Sequence, residues 1–160
     1  MKSAALHVYL AGAMEYAPDR GCGWRAAMSE FLSTALGHTV FNPCVEEQAL
    51  IDRRGIPDFR DLKARDTAAF RRAMRDIIDL DLAALRERVD YVVCLWDEHV
   101  ARGAGTHGEL TLAYLHGKPV YLVTPFAATD LSSWVIGCSS EIYPDFTALK
   151  ADLLNRYGKR

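Results

Sequence analysis

Between residues 90 and 123 the chain reads DYVVCLWDEHVARGAGTHGELTLAYLHGKPVYLV, and few folds can accommodate that order. Residues 91–96 are apolar, with the length and composition of a buried strand. A polar, glycine-rich turn occupies 97–108. Leu110, Ala113, Tyr114 and Gly117 then fall at helical spacing, and residues 120–123 form a second apolar run. Strand, loop, helix and strand in succession predict a parallel crossover. In open parallel sheets ligands bind outside the carboxyl ends of the strands. The loop 97–108 lies there, and Glu109 stands where it enters the helix. Thr106 to Glu109 is also a T-x-x-E capping box, so Glu109 reads either as a helix cap or as a reagent.

The remaining pattern supports one domain over 1–160. Residues 6–10, LHVYL, form a β-rich run that stops at Ala11-Gly12-Ala13, small residues that let backbone approach a ligand. A loop with Pro18, Gly21 and Gly23 follows, without the GxGxxG spacing of a dinucleotide fingerprint. Trp24, Ala27, Met28, Phe31, Leu32, Ala35 and Leu36 predict an amphipathic helix capped by Gly37. Arg25 lies in its first turn, where a cation opposes the helix dipole; it reads as an anion contact or as a solvated side chain. Residues 39–41 predict a short strand ended by Asn42-Pro43, and residues 44–66 a long irregular connection, a lid or binding loop.

A helix resumes near Thr67 with Phe70, Met74, Ile77 and Ile78 on one stripe. Asp79 and Asp81 are two apart and share no helix face. Asp81 reads either as an N-cap in front of Leu82 or as a substrate contact. Residues 124–141 read as a loop or broken segment with apolar Trp134, Val135 and Ile136. Ile142-Tyr143 make a last short strand, and Asp145 caps a helix with Phe146, Leu149, Leu153 and Leu154 on one face. About five strands alternating with helices predict an α/β, doubly wound, mainly parallel five-stranded sheet of flavodoxin or Rossmann type.

Net charge is −2, so no global basic field points to a nucleic acid polymer or an acidic membrane. The arginines at 53–54, 71–75 and 86–88 read as solvated helix faces. The four cysteines have no CxxC spacing and the five histidines no metal spacing, so no metal or cofactor is expected. Reduced thiols, no signal-like h-region and no spanning segment predict a cytoplasmic protein.

Gly105-Thr106-His107-Gly108-Glu109, Ala113 and then Gly117-Lys118-Pro119-Val120 resemble the signature of the nucleoside 2-deoxyribosyltransferase family and its relatives, the deoxynucleoside 5'-monophosphate N-glycosidases. VYLAGAM resembles that family's opening strand and substrate loop, and Asp81-Leu82-x-x-Leu85 its acidic-Leu motif. The resemblance implies that Glu109 is the nucleophile, attacking the anomeric carbon of a bound 2-deoxyribose, and that Asp81 is the second active-site acid. The candidate substrate contacts are Gly12, Met14, Arg25, Asp97, Gly105 and Thr106, with Glu15 and Tyr16 also able to line a base pocket. A nucleoside or nucleotide is then the small-molecule partner. Either a second base takes the sugar or water does. A non-catalytic nucleotide-binding module is the alternative from a different class. The family's subunits often complete one another's sites, which implies a homo-oligomer. The chain departs from the pattern at Gly103 and Ala104, where the transferases carry an Asp that handles the base; Asp97, Glu98 and His107 are the available substitutes.

Overall fold

A computed structural model describes residues 5–158. The strands are β1 (His7–Gly12), β2 (Thr39–Phe41), β3 (Tyr91–Leu95), β4 (Val120–Val123) and β5 (Glu141–Tyr143). They form one sheet in the order β2-β1-β3-β4-β5, with every pair parallel. The helices are α1 (Cys22–Leu36), α2 (Pro43–Arg54), α3 (Leu62–Arg65), α4 (Thr67–Ala83), α5 (Gly105–Leu115), α6 (Ser133–Cys138) and α7 (Phe146–Tyr157). This is the doubly wound α/β architecture that the sequence predicts.

Strand alternation sorts the core onto two faces. Val8, Leu10, Tyr91, Val93, Tyr121 and Val123 pack against Met28 and Leu32 of α1 and Leu149 and Leu153 of α7. Tyr9, Ala11, Val92, Cys94, Val120 and Leu122 face the other way, onto Leu110 and Ala113 of α5 and Val135 of α6. Each such fully buried aliphatic side chain contributes about 1.5–3 kcal/mol of transfer free energy. A satellite cluster of Ile51, Phe59 and Ile77 joins α2 to α4.

The chain leaves β1 outward to β2, then returns across the sheet to β3. The connections after β1 and β3 therefore diverge at adjacent strand ends and leave a crevice between them.

Residues 44–66 are not an irregular lid. Asn42 Oδ1 accepts from the Cys44 N–H at 3.0 Å, Pro43 sits at the first helical position, and Gly55 closes α2 with φ 64°. The inward positions of α2 are Pro43, Glu47 and Ile51, so a carboxylate interrupts the apolar stripe. A one-turn 3₁₀ segment (Phe59–Asp61) and α3 complete the stretch.

Asp81 is not an N-cap either. It lies near the end of α4, whose cap is Asp66, accepting from the Ala69 N–H at 2.9 Å. The chain then runs through a π-helical turn (Ala84–Arg88) before β3. The Trp134 segment folds as α6 under a Ser132 cap and splits its apolar triplet, with Val135 buried but Trp134 and Ile136 exposed. Leu154 also points outward from α7, while Leu149 and Leu153 are buried. Among the described residues no helix is long and apolar enough to cross a membrane.

Candidate active site

A cavity of ≈ 170 Å³ opens at the crevice between the ends of β1 and β3. Its walls come from Gly12, Met14, Glu15 and Tyr16 after β1, from His99, Gly103, Gly105 and Thr106 after β3, and from Met74, Ile77 and Asp81 of α4. Met74, Ile77 and Asp81 share a helix face by their spacing of three and four residues. Glu109 closes the inner end.

Glu109 does not cap its own helix. Ala104 precedes α5 and makes no side-chain capping bond, and Thr106 already lies within the first turn. The Glu109 carboxylate turns toward the sheet, where Oε1 accepts from the Tyr9 hydroxyl at 2.8 Å. Its other oxygen, Oε2, is buried and has no partner among the described residues. A buried acceptor left unpaired costs about 1–3 kcal/mol, and this one belongs to a residue that lines the cavity.

Burial raises the pKa of Glu109, while the Tyr9 hydrogen bond and the Arg25 charge favour its ionised form. Asp81 is raised as well. Burial, then the negative charges of Glu109 and Glu47, push it from 3.8 up to about 8. Burial thus favours the protonated form of both carboxyl groups, and at Asp81 the negative charges of Glu109 and Glu47 add to it.

Linkage turns the Asp81 shift into a measurable slope. The folded chain keeps the Asp81 proton between about pH 4 and pH 8, where the unfolded chain has released it. That contribution is complete below pH 3.8 and is lost as pH rises through about 8. Asp81→Asn stays neutral throughout. Its thermal midpoint relative to the parent should climb by about 5 °C or more between pH 4 and pH 9. Parallel melting curves across that range for the two proteins would contradict the proton assignment.

Arg25 is a correction to the sequence reading. It is 1 % exposed and does not line the cavity. Its Nε donates to Leu10 O at 3.1 Å, Nη2 to Gly12 O at 2.8 Å, and Nη1 to Ala13 O at 3.3 Å and Gly21 O at 3.1 Å. The guanidinium thus organises the backbone of the β1–α1 loop from below. Gly21, at φ 69°, is part of that arrangement, since a Cβ there would stand 2.4 Å from both Ala13 O and Arg25 Nη1.

Asp97 is also displaced from its expected role. Its Oδ1 accepts from the His99 N–H at 3.0 Å, closing a turn, and the residue does not line the cavity. Glu98 projects to solvent. His107 lies edge-on to Trp96 at 4.7 Å, in a separate groove on the outer side of α5. None of the three substitutes for the missing loop acid reaches the site, but His99 does.

Glu47 and Arg60, which sequence reasoning passed over, complete the rim. Glu47 is buried and its Oε1 accepts from Arg20 Nη2 and Arg60 Nη2, each at 2.5 Å. Lys63 pairs with Glu15, and the Arg102 guanidinium lies 4.2 Å from the Tyr16 ring centroid. Tyr9 was legible only as a core residue. Its period-two position on the α5 face was the available signal, because a buried tyrosine hydroxyl needs a partner.

No family model matches the sequence, and no curated protein matches it. Among solved structures, the chain is similar to a 2-deoxyribosyltransferase from the psychrotolerant bacterium Bacillus psychrosaccharolyticus, at 19% identity and a TM-score of 0.63, over 90% of each chain. At that identity the likeness is one of fold, and it extends over nearly the whole of both proteins.

Proposed function

We propose that the chain cleaves the N-glycosidic bond of a (deoxy)nucleoside or nucleotide through a covalent glycosyl ester on Glu109, and passes the 2-deoxyribosyl group to a second base. The observation that carries this reading is the buried Glu109 carboxylate, held by Tyr9 through one oxygen and unpaired at the other, in one cavity with Asp81. The fold shared with a 2-deoxyribosyltransferase supports it.

Chemically, Glu109 Oε2 approaches the anomeric carbon as the bond to the base nitrogen breaks. The departing electron pair goes to the base, and Asp81 supplies a proton to it. A carboxylate suits this step because positive charge develops on the sugar, where a fixed anion stabilises it before bonding to it. In the second half, a nitrogen of the incoming base attacks the same carbon, the ester bond breaks back onto Glu109, and Asp81 recovers a proton.

Hydrolysis of a (deoxy)nucleoside 5'-monophosphate is the second reading. Arg60 at the cavity wall favours it, as a cation within reach of an anionic substrate. In that case water replaces the second base. A panel of deoxynucleosides and their monophosphates, incubated with and without a free acceptor base, distinguishes the two. Base exchange supports transfer. Free sugar or sugar phosphate without an acceptor supports hydrolysis. Ligand binding with no turnover would remove both readings and leave a binding module.

A homo-oligomer belongs to the same proposal. Leu115 and Trp134 are 74% and 64% exposed and flank an apolar groove with Leu82 and Leu112. Light scattering should give a mass at least twice that of the 17.8 kDa chain. A monomeric mass at tens of micromolar would count against it.

A further inference from the structure

We propose that Cys22 and Cys44 form a reversible redox site, in which a disulfide ties the start of α1 to the start of α2 and fixes one wall of the cavity. The inference is independent of the glycosyl chemistry. The two residues are far apart in sequence and show no redox spacing, yet their Sγ atoms lie 2.7 Å apart. Both are thiols and both are part-exposed, unlike the buried Cys94 and Cys138.

Their surroundings are built rather than incidental. Cys22 is the first residue of α1, directly after Gly21, whose carbonyl accepts from Arg25. Cys44 is held by its N–H on Asn42 Oδ1, with its sulfur 3.5 Å from Arg20 O and 3.9 Å from Arg25 Nη1. The two backbones are therefore held by groups other than the sulfurs, and the sulfurs already stand 2.7 Å apart. Burial, and then contact with Cys22, push the Cys44 thiol up to about 12. Either thiol can open the reaction, and the same bond results.

With a small-molecule disulfide as oxidant, the sequence balances as follows. The Cys22 thiolate attacks one sulfur of the oxidant, expels the other as a thiolate and forms a mixed disulfide. Cys44 Sγ then attacks Cys22 Sγ, its proton passing to the second departing thiolate. Two protein thiols are oxidised, one external disulfide is reduced to two thiols, and the Cys22–Cys44 bond remains.

The consequence reaches the cavity. Arg25 links the loop before α1 to both cysteines' neighbourhood, and that loop contributes Met14, Glu15 and Tyr16, while α2 contributes Glu47. A covalent tie between the two helix starts limits how far these walls can separate.

The test uses the full chain treated with oxidised glutathione, digested without reductant and mapped by mass spectrometry. One cross-linked peptide pair joining positions 22 and 44 is expected, lighter by two hydrogens than its reduced parts and released by dithiothreitol. Titratable thiols in the denatured chain should fall from the four of the reduced protein to two. The thermal midpoint should rise by about 5–10 °C on oxidation, and not in Cys22→Ser or Cys44→Ser. The proposal is overturned if Cys22 ends as a lasting glutathione adduct, if all thiols survive, or if the cross-linked chain melts no higher than the reduced one. The mapping and melting of the parent protein decide the matter even if a serine variant folds poorly.

Discussion

Glu109→Gln is expected to lower kcat/KM for base release by at least about 10³-fold while leaving the circular dichroism spectrum and the melting transition intact. The amide is nearly isosteric, and its oxygen can still accept from the Tyr9 hydroxyl that lies 2.8 Å from Oε1. What disappears is the capacity to carry a negative charge, and with it the nucleophilic oxygen that the proposed step requires. Retention of the parent rate would exclude a covalent role for this residue. Tyr9→Phe is the matching variant. Its ring stays stacked on Phe41 at 5.1 Å, so packing is preserved. Loss of the hydroxyl removes one of the two groups that favour the ionised Glu109. The acid limb of the kcat/KM profile should move to higher pH, with a rate loss of about tenfold at neutral pH. A packing role alone would change stability without moving that limb.

Arg25→Met should destabilise the fold by about 3–5 kcal/mol, seen as a drop in the denaturant midpoint. Methionine fills much of the buried volume but donates nothing, and four carbonyls, of Leu10, Gly12, Ala13 and Gly21, lose a charged donor together. The effect belongs to folding rather than to ligand contact, since the side chain is sealed beneath the loop. A variant of near-parent stability that had lost only substrate affinity would restore Arg25 to the binding surface.

The sheet was readable because its strands are short, apolar and bounded by turn residues. The strand after Thr39, the strand at Ile142 and the Asp145 cap all lie where composition puts them. The 44–66 stretch was misread for a definite reason. Helical patterning assumes an apolar inward stripe, and α2 turns Glu47 inward to meet two arginines. Asp81 was misplaced because two aspartates in alternation suggest a break, whereas α4 continues through both and turns only the second into the cavity. Arg25 misled in the same way. A cation in a first turn looks unfavourable until the carbonyls beneath it are known, and those come from a different part of the chain. Local pattern placed Glu109 at the entry to a helix but left it open between cap and reagent, and only the family resemblance favoured the reagent. The partners that tune it, Tyr9 and Arg25, depend on contacts between distant segments that no local pattern encodes.

Tyr9 stands on an inner strand and Glu109 on a core-packed helix, whereas Met14, Glu15, Tyr16 and His99 belong to connecting segments. The nucleophile of the proposed reaction is therefore carried by the sheet-and-helix frame, and most of the cavity entrance by connecting segments, which tolerate substitution better than core elements do. Under the proposed reaction, substitutions at the entrance alone would exchange one leaving group for another. Attack on the sugar would then depend on the frame, and selectivity would stay open to independent revision.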